Sequence, residues 1–354
     1  MKRRDAIRAG GSIVASATLA GCLDTLGFQT QSAWRDPPLP SNRPDAVYYP
    51  AIVEEMGMYG MKEVPAEGVT FALMFSYPHR FWTVTGTNKQ RVVVNSDDSL
   101  HLMASLWDTE SQTVLPADIS LEVLNDGESV TQRSLWPMLS QTMGFHYGDN
   151  FSLPDEGQYT ARLSVGPVQA RRTGSFESRF ENSMETEIDF EFDTTNTYNL
   201  DLRRLGTKSG ERGAVEPTME EMPAGRTPME SELPGEIIGA ASSGDATFVI
   251  SYIENASRFG DRSYLAVSPR TPYNRIMLPL MSLSATVVRG GSTVFDDILT
   301  ETLDPVFGDH YGGTVGQLQS GDTVTVTVDA PPQMSRHDGY ETAFFDMPPI
   351  EVTV

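Results

Sequence analysis

One cysteine in 354 residues, Cys22, leaves no partner for an intrachain disulfide and no second thiol for a redox pair. Lysine is nearly as scarce: Lys2, Lys62, Lys89 and Lys208 are the whole complement, and the other basic residues are arginine. Acidic side chains number 48 against 26 basic ones, a formal net charge of -22, so nucleic acid is not an expected partner. A carboxylate-dense, arginine-rich, lysine-poor surface stays hydrated in concentrated salt, and a halophilic protein is expected. No Ser-His-Asp arrangement, phosphate loop or paired-carboxylate motif stands out, so the chain is not expected to be an enzyme. Histidine occurs only five times, at positions 79, 101, 146, 310 and 337.

The first residues carry an export signal. "MKRRDAIRAGG" is basic with paired arginines, and "SIVASATLAGC" is a short small-residue apolar stretch ending in Leu-Ala-Gly-Cys. It is too short to span a bilayer and reads as a twin-arginine lipoprotein signal over 1–21. Cys22 would take the lipid, tethering the protein to the outer face of the cell membrane. With that thiol acylated, cysteine-based metal or nucleophilic chemistry is excluded.

Residues 22–46 are proline-rich and aperiodic, as a tether would be; residues 205–235 are rich in Gly, Pro and Glu and read as a flexible linker. Between and after them lie two regions, 47–204 and 236–354, built of alternating stretches such as "SLHLMASLWD", "GQYTARLSV" and "DTVTVTVDA". The fold class expected is all-β: two tandem immunoglobulin-like β-sandwiches without the disulfide. The halves match in order. "LPADISLEVLNDG" answers "LPLMSLSATVVRGG", and "FHYGDNFSLPDEGQYTARLSV" answers "DHYGGTVGQLQSGDTVTVTV". The second half is a partly degenerate repeat.

Two of the five histidines, His146 and His310, therefore stand in the same His-Tyr-Gly word. By itself that word has a plain structural role: an imidazole bonded to a loop, with Gly148 and Gly312 supplying turn conformations. The surroundings of the first copy point to a metal. His101 and Met103 are two apart on a strand and share a face, while Met138 and Met143 precede His146. Imidazole with thioether suits copper, whose soft Cu(I) state accepts methionine sulfur; imidazole alone also suits Zn(II), Ni(II) or Fe(II). The methionines have a packing alternative. So do Met56, Met58 and Met61 in "EMGMYGMKE"; for His79 beside Arg80 and Trp82, loop packing or cation–π contact is the default and a ligand role the lesser alternative.

"PMLSQTMGFHYGDNFSLPDEGQYTARLSV" resembles the signature of the periplasmic high-affinity iron-transport family, which are Ig-like, dimeric, copper-binding accessories of iron uptake. The resemblance covers each sandwich separately. It implies a site made from a strand His-x-Glu, a methionine before the histidine of the His-Tyr-Gly stretch, and a later histidine. On this chain His101 and His146 match the first and second histidines, and Met103 falls at the Glu position. Met138 and Met143 compete for the methionine. The late histidine is missing from "ARRTGSFES", where Arg171 and Arg172 stand instead, but is present in "MSRHDGYET" as His337. The second half keeps His310, with Thr247 expected at the place of His101 and Leu303 or Val306 at the methionine.

The candidate metal ligands are thus His101, Met103, Met138, Met143, His146, His310 and His337. One expectation is a covalent pseudo-dimer in which His337 completes the first half's site; the other is that His310 and His337 merely support loops. Together with the export signal and Cys22, the resemblance implies a lipid-anchored, extracytoplasmic carrier of copper or iron that serves an iron permease, as a pseudo-dimer or homodimer. The rival reading is a cell-surface structural or adhesion protein with vestigial ligands.

Overall fold

Alternation along the strands decides the architecture. Met184–Phe192 reads buried at every odd step and exposed at every even one, with Glu185, Glu187, Asp189 and Glu191 outward. Leu100–Asp108 is buried along its whole length, as a strand covered on both faces must be. The computed structural model describes residues 37–260 and 262–354. The expected signal segment with Cys22, and most of the tether, lie outside the described residues. Among the described residues no helix is long and apolar enough to cross a membrane.

The all-β expectation holds. A four-stranded sheet in the order Met184–Phe192, Gly157–Val165, Ile119–Asn125, Glu128–Ser134 packs against an eight-stranded one. The larger sheet runs Gly57–Val64, Val69–Ser76, Leu100–Asp108, Gly144–Phe151, Trp136–Ser140, Ser335–Arg336, Phe81–Thr85, Asn88–Val92. In the second half both layers belong to one path of eight strands, because the 13-residue strand Ser292–Asp304 serves both. Its first part pairs with Ser282–Arg289 and its last with Gly308–Val315. In the first half the same work is divided between Glu128–Ser134 and Trp136–Ser140.

Each half lends the other a two-residue strand. Ser335–Arg336 lies parallel to Trp136–Ser140, with Ser335 opposite Met138. Arg171–Arg172 lies parallel to Ser292–Asp304, with Arg171 opposite Thr302. The backbone bonds just beyond match too: His337 N–H donates to Leu139 O and Thr173 N–H to Leu303 O. This reciprocal exchange joins the sandwiches by hydrogen bonds as well as by packing. One apolar cluster runs through both, from Phe71 and Phe145 to Val267 and Val326.

Residues 205–235 have little regular structure but are tied down, unlike the flexible linker expected. Val215, Met222 and Leu233 are buried, Thr227 N–H donates to Arg275 O, and Asn274 donates to Val215 O. Apolar residues spaced through a Gly/Pro-rich stretch anchored it, and composition hid them.

Candidate metal centre

The antiparallel register sets the site. Leu100–Asp108 pairs with Gly144–Phe151 so that His101 faces Asn150 and Met103 faces Gly148. Gly144–Phe151 pairs on its other edge with Trp136–Ser140, placing His146 opposite Met138. The lent strand beside Met138 ends at Arg336, so the next residue, His337, arrives over the same face. His79 enters from the loop before Phe81–Thr85, which pairs with the lent strand through Trp82 and Arg336.

Four imidazoles and one thioether meet there. His79 and His101 have ring centroids 4.2 Å apart, His79 and His337 4.8 Å, and His146 and His337 5.3 Å. His79 Nε2 is 3.0 Å from His337 Nδ1, and His337 Nε2 is 3.3 Å from the Met138 sulfur. One nitrogen each from His79, His101 and His337 lies within 4.8 Å of the others. Met138 is fully buried yet belongs to neither apolar cluster.

The outer hydrogen bonds fix which nitrogen faces inward. His101 Nδ1–H donates to Asn150 Oδ1 at 2.8 Å, and Asn150 in turn donates to His79 O. His146 Nδ1–H donates to Gly144 O at 3.2 Å, and His79 Nδ1–H to Tyr77 O at 3.0 Å. A carbonyl only accepts, so His79 and His146 each keep an Nε2 lone pair. That is the tautomer a metal ligand needs, set by its outer partner. His101 Nε2 and His146 Nε2 are buried with no hydrogen-bond partner. An orphaned buried polar atom costs about 1–3 kcal/mol, and these two lie on rings that both pack against His337, as ligands to an ion would.

Burial and mutual repulsion keep His101, His146 and His337 neutral. Desolvation, then His79, holds His101 well below the usual histidine range, and Asn150 only partly offsets it. Burial brings His146 down to about 4 against the Gly144 hydrogen bond. His337 is held well below by burial and by His79, His146 and His101. At the mouth, His79 Nδ1 is 3.9 Å from Glu54 Oε2.

Gly148 corrects an expectation. It lies inside a strand with no left-handed backbone, so it supplies no turn. A Cβ there would stand 2.7 Å from His101 Nε2 and 3.3 Å from Met103 Cγ. The glycine makes room for the histidine.

The seven expected ligands separate. His101, His146, His337 and Met138 come together. Met103 flanks Gly148 but belongs to the apolar core, opposite Met74. Met143 sits in the turn before Gly144–Phe151, also in the apolar core, and the register gives the methionine position to Met138. His310 stands elsewhere, among Phe259, Tyr264 and Phe307. Its Nδ1–H donates to Gly308 O, as His146 does to Gly144, but its Nε2 is 3.3 Å from the Tyr264 hydroxyl. His79 joins the cluster against the default of loop packing, because a lone histidine before Arg-Phe has no periodicity or partner in sequence to favour a ligand role.

Register also corrects the second half's equivalences. Gly312 pairs with Ala266 and Gly148 with Met103, so Tyr264, not Thr247, holds the place of His101. Thr302, opposite His310, holds that of Met138, not Leu303 or Val306. The counterpart of His337 is Thr173, while Arg171 and Arg172 match Ser335 and Arg336. Thr247 is on the neighbouring strand Ala246–Ile253.

A family model described only as a domain of unknown function, DUF7350, matches residues 231–353. No curated protein matches the chain. Among solved structures, FetP of uropathogenic E. coli, as isolated, is 17% identical over 39% of this chain and 96% of its own, with a TM-score of 0.30. A copper-bound variant of the same FetP is 15% identical over 39% and 97%, with a TM-score of 0.29.

Proposed function

We propose that this protein binds a single copper ion through His101, His146, His337 and Met138, with His79 at the entrance. The observation that carries this is the pair of buried, partnerless nitrogens, His101 Nε2 and His146 Nε2, on rings packed against His337, whose own Nε2 meets the Met138 sulfur. Neutral imidazoles with a sulfur and no carboxylate among them favour Cu(I) over harder ions, and ferrous iron is the alternative cargo. On this reading the protein is a carrier of the ion rather than an enzyme. The export signal and Cys22 support a lipid-anchored protein on the outer face of the membrane. The family resemblance supports an accessory role for an iron permease.

The test is metal analysis of the protein lacking its signal and lipid after loading with Cu(I) or Fe(II) and desalting. Near-stoichiometric copper that His101→Ala or His146→Ala abolishes is expected. Equally little metal in wild type and variants would return the protein to the structural, adhesion-type reading. Co-purification with a membrane permease from native membranes tests the accessory role separately.

A further inference from the structure

His79 and His337 come from opposite ends of the chain, yet their rings are joined by a 3.0 Å nitrogen–nitrogen contact. Something must hold two loops in that register. The strand that carries His337 is two residues long, and such a ladder contributes few backbone bonds to fix its end. Immediately after each histidine stands one member of an ion pair. Arg80 Nε donates to Asp338 Oδ1 at 3.0 Å, and Arg80 Nη2 to Asp338 Oδ2 at 2.6 Å. The fork is two-pronged and largely withdrawn from water: Arg80 is 5% exposed and Asp338 19%. It also continues the antiparallel register. Trp82 faces Arg336, and two further steps bring Arg80 opposite Asp338.

We propose that the Arg80–Asp338 pair is a positioning clasp that locks His79 against His337 and so closes the metal site across the two halves. This rests on the metal-site reading. A bidentate guanidinium–carboxylate pair fixes angle as well as distance, which a single hydrogen bond does not. With the neighbouring residues held in plane, the two imidazoles have little freedom left. His337 Nδ1 faces His79 Nε2, and His337 Nε2 faces the Met138 sulfur. Neither Arg80 nor Asp338 needs to touch the ion. Each acts through the histidine before it.

A second fork of the same geometry provides the control. Arg289 Nε and Nη2 donate to Asp322 Oδ1 and Oδ2 at 2.8 and 2.6 Å, in a different sheet and with neither residue adjacent to a histidine. Loss of either fork should lower the unfolding midpoint. Only loss of the first should change metal binding.

The experiment titrates the whole exported chain, without lipid, with Cu(I) against a competing chelator. Asp338→Asn and Arg80→Lys, which keeps the charge but not the fork, are expected to weaken copper about 10–100-fold, the usual effect of losing an outer-shell partner. Asp322→Asn should bind copper as wild type does. In a His337→Ala background, Asp338→Asn should add almost nothing, because the clasp has lost the ligand it positions. Wild-type affinity in both Asp338→Asn and Arg80→Lys, or an undiminished loss in the His337→Ala background, would overturn the clasp. If Asp338→Asn fails to fold, Arg80→Lys carries the test.

A readout without metal separates this proposal from the reading beneath it. In the apo protein, imidazole ¹⁵N NMR should show the hydrogen bond between His79 and His337, and Asp338→Asn should remove it. A wild type that takes no copper overturns the metal-site reading. The imidazole signal then still decides whether the pair positions the two rings.

Discussion

His146 and His310 hold the same position in their sandwiches, donate from the same ring nitrogen to a carbonyl two residues back, and part company at the other nitrogen. In the second half the Tyr264 hydroxyl meets it; in the first half the equivalent residue is His101 and nothing meets it. The rest of each pocket follows suit. Around His310, Leu233, Val249, Phe259, Tyr264 and Phe307 form an apolar cluster of their own. Around His146 the corresponding volume holds three more imidazoles and a thioether. One strand pairing thus supports a packed aromatic plug or an ion site, and the residues facing the glycine decide which.

The sharpest way to break this comparison is to write the second half's residue into the first. His101→Tyr places a phenol over Gly148, where it can donate to His146 Nε2 as Tyr264 does to His310. Complete loss of copper, about 100-fold or more in affinity, is expected by competition titration, with the apo unfolding midpoint unchanged or higher. His310→Ala should leave copper affinity untouched and destabilise the fold by about 2 kcal/mol, since it empties a buried, satisfied position. If His310→Ala also removed copper, the two pockets would not be separate.

Much of the frame was legible in the sequence. The period of two marked Leu100–Asp108, Gly157–Val165 and Thr323–Ala330 as strands, and the repeated His-Tyr-Gly located equivalent strands in the two halves. Pairing was not legible, and pairing is what names the ligands. Because side chains alternate, a one-residue slip exchanges the faces of a strand, so sequence spacing alone misassigned Thr247 and left Met138 and Met143 in competition. His337 could be guessed as a late ligand, but not the lent strand that delivers it. His79 carried only a weak signal, a histidine beside Arg80 and Trp82. Its role depends on a loop meeting a segment 258 residues away.

Acid should separate the two pockets next. A buried histidine whose folded pKa lies below its unfolded value costs nothing above about pH 6.5 and withdraws stability as pH falls towards its folded pKa. His146 and His310 both titrate near 4 when folded, so each takes about 3 kcal/mol from the apo protein between those limits, at about 1.4 kcal/mol per pH unit. His101 and His337 add to the loss in the same direction. Denaturant melts from pH 7 to 4 should therefore fall steeply. His310→Ala should flatten that slope with or without copper. With copper bound, the first pocket's share should instead appear as acid-driven metal release.

Adding a methyl group to the two glycines tests the same contrast more gently. Gly148→Ala drives a Cβ into His101 Nε2, and Gly312→Ala drives one into the Tyr264 hydroxyl. Each should cost about 1–3 kcal/mol of stability by overpacking. Only Gly148→Ala should also weaken copper, because it displaces a ligand. Equal copper affinity in both variants would mean that the Gly148 contact does not position His101.

The smallest effect concerns the opposite face of the same strands, where the halves also differ in kind. Asp309 stands where the first half has Phe145, buried to 1% exposure, with neither carboxylate oxygen bonded. Burial first, and then Glu301 beside it, raises Asp309 well above the ordinary carboxylate range. The sign is the reverse of the histidine case. A raised folded pKa gives stability that is present below about pH 4 and is lost as pH climbs through the folded value. Asp309→Asn cannot ionise, so it should leave acid stability nearly unchanged and gain about 1 kcal/mol over wild type on the alkaline side. Chemical melts at about pH 4 and pH 9 measure that difference. A variant less stable than wild type at both would mean that the Asp309 carboxylate is held by partners that suit its charge, and that the two faces of the repeat diverged for different reasons.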